Sequence, residues 1–573
     1  MVLNVPRNPC ILLYLTIALL SGCGHHQDVA VTTYHYDNLR TGWNAYEDRL
    51  TPETVSSSRF AVLYTPTTLD DQVDAQPLVV PDENITGGTS PGKHDVVYVA
   101  TESNSVFGID ASSGKVLVSR QINTPVPINQ WPPPFPIPPA YSCGNNGPNV
   151  GINSTPVIDR ATNTMYVVAY SWESATPVFR VHALNLSDLS DRIPPVAVGA
   201  SHTLTDGSTF SFNAGWQRQR PGLLLSNGNL YVAFGSFCDW GGSQSRGWVL
   251  GWQTPSLTPL PSDQLNDQLA NSTPPTGMFL SSVWMSGYGL AADSHGELFF
   301  VTGNSDSNFS AGSPTPCNNT NVTGGLYTTY SGAPAYTNIQ NSVVHLKGDL
   351  TGVLDIFTPW VQAFWDECDA DYGSGGAMLL PDQKGSIPHL VAAAGKDGKM
   401  FLQNRDSLGG YNSPGYGGGA TDNALAIANV GACWCGPSYF EDDDGHYIVS
   451  SGGASVNVWR VRTDPLVSLI HEGTSAPLIG GGGGGQDPGF FTFVSSHYHK
   501  DAIVWAISRP DASNQLWLYA LRALPHKGSD ALPQLFAQSV GTWQGGNANV
   551  VPVVANGKVF VATYQRFTIF GLK

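Results

Sequence analysis

Val96-Val97-Tyr98-Val99-Ala100-Thr101-Glu102-Ser103 (VVYVATES) is the stretch that decides the fold. Small residues follow an apolar run with a central aromatic, the pattern of a short strand buried on both faces. Seven more stretches repeat it: TMYVVAYS from Thr164, NLYVAFGS from Asn229, ELFFVTGN from Glu297, HLVAAAGK from His389, HYIVSSGG from His446, AIVWAISR from Ala502 and KVFVATYQ from Lys558. Several follow a hairpin-type turn, such as Ser226-Asn227-Gly228-Asn229 or Asn556-Gly557.

A second strand follows each copy. Examples are SVFGID from Ser105, WVLGWQ from Trp248, KMFLQN from Lys399 and TIFGLK from Thr568. A third precedes most of them, as in QPLVVPD from Gln76, TPVIDRA from Thr155 and VVPVVAN from Val550. Three strands in register, eight times over, predict an all-β fold: an eight-bladed β-propeller of four-stranded antiparallel blades. Gly/Pro/Asn-rich insertions at 124–149 and 305–340 lengthen the repeat. Two packed β-sandwiches would be the competing architecture. The last unit stops at Lys573 on its third strand, while FAVLYTPTTL from Phe60 is a strand without a blade. It is expected to close the last blade and so remove an open sheet edge.

Composition agrees. Of 573 residues 63 are Gly and 41 Pro, and only 12% are charged, so turns abound and solvated helical faces are few. Hydrophobic residues at 41% supply a core and exclude disorder. The formal charge of −17, with no dense basic run, argues against nucleic acid as a partner.

Residues 1–22 read as an export signal, with Arg7 ahead of the apolar run ILLYLTIALL from Ile11. Leu20-Ser21-Gly22-Cys23 is similar to the bacterial lipobox, which makes Cys23 the lipidated residue. Ordinary cleavage beside a stray Cys is the competing reading. Acyl chains would then tether the protein to the cell envelope. Gly24 at the next position favours the outer membrane by the lipoprotein sorting rule. The expected division is signal 1–22, tether 23–33 and propeller 34–573. Cys143, Cys238, Cys317, Cys368, Cys433 and Cys435 remain in the body, an even number that would suit disulfides in an oxidising compartment.

The turn GIDASSGKV from Gly108 is similar to the repeat turn of pyrroloquinoline quinone (PQQ) proteins. With QRPGLLLSNGNLYVAFGS from Gln219 and WMSGYGLAADSHGELFFVTGN from Trp284, the chain resembles the exported bacterial quinoprotein-like propeller lipoproteins over residues 34–573. The resemblance implies the propeller, and PQQ with Ca²⁺ in the central funnel. The chain departs from quinoprotein alcohol dehydrogenases in having no Cys-Cys dipeptide, and Val116-Leu117 stand where the repeat's closing Trp would be.

In such a ring the site lies where the loops enter the innermost strands. Those loops hold Asp74, Gln76, Asn153, Arg218, Arg220, Trp284, Ser286, Ser374 and Asn547. Polar groups converging on a concave site suit a ligand. They equally suit a wet channel. Asp366-Glu367-Cys368-Asp369-Ala370-Asp371 is rich in oxygen donors, so Asp369 and Asp371 are candidate Ca²⁺ ligands. In an oxidoreductase, Asp371 or Asp369 would be the catalytic base. A solvated acidic loop is the plainer account. Arg218 and Arg220 could clamp a carboxylate, or pair with Asp74 or Asp371.

Two functions follow. The first is an envelope-anchored binding or scaffold propeller for a protein or glycan, with the proline run at 131–139 as a stiff arm. The alternative is a PQQ- and calcium-dependent alcohol or sugar dehydrogenase, with Trp284 stacking on the quinone. Missing cofactor hallmarks favour the first.

Overall fold

The computed structural model describes residues 28–127, 149–237, 245–268, 281–304, 336–362, 365, 370–412, 422–432, 435–480, 489–546 and 548–573. Eight small antiparallel sheets form the eight blades of a propeller. The innermost strands are Leu78–Ile85, Val157–Asp159, Leu224–Ser226, Ala291–Ala292, Ala377–Leu379, Ser438–Asp442, Phe491–His497 and Val553–Ala555. We number blades 1 to 8 in that order. The second strand of each blade carries the repeated pattern, for example Gly92–Ala100 in blade 1 and Leu390–Ala394 in blade 5. These strands are buried on both faces, which explains their continuous apolar runs.

Closure occurs as the sequence implies. Phe60–Val62 pairs antiparallel with Arg566–Leu572, setting Phe60 opposite Leu572 and supplying the outer strand of blade 8. Thr67–Thr68 extends the same edge.

The strand pattern does not reveal a belt formed by the first described residues. Val31 bridges Val79 of blade 1, and Thr32 O accepts from Ile158 N of blade 2 at 2.8 Å. Asn38 Nδ2 donates to Leu225 O of blade 3 at 2.9 Å, and Asn38 O accepts from Ala292 N of blade 4 at 2.8 Å. Leu39 O, Thr41 O and Gly42 O accept from Leu379 N, Tyr439 N and Val494 N of blades 5, 6 and 7. Asn44 Nδ2 donates to Val554 O of blade 8 at 3.0 Å. Between Val31 and Asn44 the chain makes one circuit of the axis and bonds every inner strand in order. Its start, Val29, lies within the stretch read as tether, yet is buried and held by Asn556.

Arg40 anchors the belt. Its guanidinium donates to Thr33 Oγ1, to the carbonyls of Tyr34 and Asp37, and to Leu290 O and Leu223 O of two blades. Tyr288 OH donates to Arg40 O at 2.7 Å, and its ring wedges where neither Gly376 nor Gly436 has room for a Cβ. His35 stacks on Tyr34 at 4.6 Å. Burial pushes the His35 imidazole down to about 3, so it is neutral here.

Candidate functional site

All inner strands run the same way, so each blade has its inner-strand entry and its second-to-third-strand loop on one face. The residues expected to line a central funnel lie on that face. The first-to-second and third-to-fourth strand turns lie on the other face.

Blades 4 and 5 carry the most distinctive grouping. Asp371, in the entry loop of blade 5, is buried, and its Oδ2 lies 2.9 Å from Lys396 Nζ. Lys396 follows the second strand of the same blade. Asp371 Oδ1 accepts from Asn304 N at 2.8 Å. Asn304 is buried after the second strand of blade 4; its Oδ1 accepts from Asn341 Nδ2 at 2.7 Å, while its own Nδ2 has no partner. Trp284, in the entry loop of blade 4, is only partly buried. Lys396 Nζ lies over its ring at 5.6 Å from the centroid, and Arg220 Cζ at 5.8 Å. Two cations therefore lie over one partly buried aromatic ring.

Blades 1 to 3 continue the arc. Arg218 Nε donates to Asn153 Oδ1 at 3.2 Å, and Asn153 Nδ2 donates to Glu102 Oε1. Gly151 N donates to Glu102 Oε2 at 2.9 Å. Glu102 has no exposed surface, and burial together with neighbouring Asp74 raises its carboxyl well above the ordinary range. The Glu102 side chain is thus held toward its neutral form beside Asp74.

Of the residues expected at the site, the structure brings Asp74, Asn153 and Arg218 into one cluster, and Arg220, Trp284 and Asp371 into the other. Arg218 is tied to Asn153, and Arg220 lies by Trp284. Three others bind backbone. Gln76 holds the belt, accepting from His35 N and donating to Thr33 O. Ser286 Oγ donates to Ser374 O at 2.7 Å and links blades 4 and 5. Ser374 Oγ donates to Asp371 O at 2.9 Å. Asp369, Asn547, Cys23 and the proline run fall outside the described residues, as does every body cysteine except Cys435.

Glu102, Asn304 and Lys396 escaped the sequence reading, although each stands at the end of a quoted repeat: VVYVATE, LFFVTGN and LVAAAGK. A polar residue that changes from copy to copy after an unchanging apolar run was the available signal.

The ring of eight four-stranded blades and the belt inside it define an eight-bladed β-propeller. Among solved structures the chain is similar to the quinohemoprotein alcohol dehydrogenase of Comamonas testosteroni, with TM-score 0.57 at 12% identity over 95% of this chain and 80% of that one. It is also similar to a europium-containing methanol dehydrogenase, with TM-score 0.51 at 12% identity over 94% and 90%. BamB from Moraxella catarrhalis gives 0.40 at 12% identity over 90% and 98%. At such identities the likeness is one of fold. No family model and no curated protein matches the chain.

Proposed function

We propose that the funnel binds a flat, polyanionic quinone of the PQQ class and that the protein is an alcohol or sugar oxidoreductase. One observation carries this reading: a partly exposed Trp284 framed by Arg220 and Lys396, next to the buried Asp371. An aromatic face suits stacking, and the cations suit carboxylates. When bound, the quinone supplies the two-electron oxidising capacity that no side chain has.

The chain's own residues would do the rest. Trp284 orients the ring, while Arg220 and Lys396 balance its acid groups. Lys396 Nζ holds one oxygen of the Asp371 carboxylate, the group that would take the hydroxyl proton of an alcohol substrate. Asn304 N fixes the other carboxylate oxygen. Calcium bound beside the quinone would draw on the Asp371 carboxylate and the Asn304 amide oxygen, while Asp369, the other expected ligand, lies outside the described residues.

Calorimetric titration of the purified body with PQQ, with and without Ca²⁺, tests the proposal alongside dye-linked alcohol oxidation. One saturable site is expected. Absence of binding would return the reading to a scaffold propeller for an envelope protein or glycan.

We further propose that the protein is exported, cleaved after residue 22 and acylated at Cys23, with the outer membrane as its site. The lipobox-like sequence Leu20-Ser21-Gly22-Cys23 supports this. Mass spectrometry of the mature N-terminus would show the acyl chains or their absence.

A further inference from the structure

Blade topology says where the tether leaves the ring. Val29 N is held by Asn556 Oδ1 at 2.7 Å, and Asn556 returns a bond to Val29 O. Asn556 sits in the turn between the first two strands of blade 8, Val553–Ala555 and Lys558–Thr563. That turn belongs to the face opposite the funnel. The belt's far end returns to the same place, where Gly557 N donates to Glu47 Oε2 at 2.9 Å. Five residue steps separate Asp28 from Cys23, and an extended chain covers at most about 3.6 Å per residue, so an anchor at residue 23 holds this face within about 20 Å of the bilayer.

The same face exposes large apolar side chains. Tyr46, 43% exposed, meets Tyr498, 56% exposed, edge-on at 5.6 Å. Tyr498 is in the first hairpin turn of blade 7, and its N donates to Ala45 O of the belt. Leu466, 78% exposed, lies in the turn between the third and fourth strands of blade 6. A tyrosine pair with apolar bodies and polar tips is suited to the headgroup layer. The acidic turn of Asp442, Asp443 and Asp444 shares the face, which selects zwitterionic over anionic headgroups.

We propose that the face bearing Tyr46, Tyr498 and Leu466 rests on the zwitterionic lipid surface to which residue 23 is anchored, turning the funnel away from the bilayer. This rests on the reading of Cys23 as the anchor, so the test supplies an anchor of its own. The chain from residue 23, with an N-terminal hexahistidine, is attached to phosphatidylcholine vesicles through nickel-chelating lipid. Hydroxyl-radical footprinting is then compared with the same protein in solution. Oxidation of Tyr46, Tyr498 and Leu466 should fall several-fold on the vesicle. Trp360 and Ile479, exposed toward the funnel side, should oxidise equally in both. The double variant Tyr46→Ser/Tyr498→Ser, with an unchanged footprint in solution, should lose much of the protection at Leu466. Protection of Trp360 and Ile479 instead, or of neither set, overturns the orientation. Whether the natural chain is acylated is decided separately by its mass.

Discussion

Two buried ion pairs of one chemistry serve different ends in this ring. In blade 3, Arg246 and Asp267 meet at 3.3 Å with neither side chain exposed, and Phe210 covers the guanidinium at 4.7 Å. In blade 5, Lys396 and Asp371 meet at 2.9 Å, but Lys396 also lies over Trp284. The first pair has no exposed surface; the second lies beside a tryptophan that is only partly buried. Burial of charge alone therefore does not nominate a site. What separates the pairs is the partly buried aromatic ring beside one of them.

The sharpest way to break this contrast is Asp371→Asn. Dye-linked turnover should fall by about 10²–10⁴-fold, the range for loss of a general base, while PQQ binding persists. Unchanged turnover would remove Asp371 from the chemistry. Asp267→Ala should do the reverse. It removes the carboxylate partner of a buried guanidinium, so unfolding by denaturant should show a loss of about 3–5 kcal/mol, with ligand affinity intact. If both variants gave the same phenotype, the distinction between the two pairs would fail. Trp284→Ala should weaken PQQ binding by about tenfold in calorimetry, equivalent to about 1.4 kcal/mol of aromatic contact.

The smallest effect concerns Glu102. Its carboxyl is raised in the fold, so the folded state holds a proton that the unfolded chain releases above its own carboxyl range. Stability should therefore be fully present below the unfolded value and decline as pH rises toward the folded one. Glu102→Gln should flatten that decline in denaturation midpoints measured from pH 4 to 8. An unaltered slope would show that another group is responsible.

The blades were legible because each is a local repeat: turn chemistry and apolar runs lie within a few residues of one another, and strand closure by Phe60 followed from counting strands. The belt was not. VTTYHYDNLRTGWN from Val31 alternates in no strand-like way, since its partners come from eight different blades rather than from one neighbour. At the site, Asp371, Trp284 and Arg220 were visible as polar residues at the mouths of inner strands. Lys396, Asn304 and Glu102 were hidden because they look like the tails of apolar strands. Only the stacking of one blade on the next brings those tails beside the entry loops.

The belt also sets an order of assembly. Its residues are the first of the ring to be synthesised, yet Val29 must wait for Asn556, 527 positions later, and Asn44 for Val554. Contacts of such separation form late and slowly. Blades can pair their own strands as they emerge, but the hoop they make stays unfastened until the final blade arrives to grip the leading end. A chain cut short of residue 553 would have seven blades and no clasp, and would present its unfilled axis to any protease that inspects newly delivered proteins.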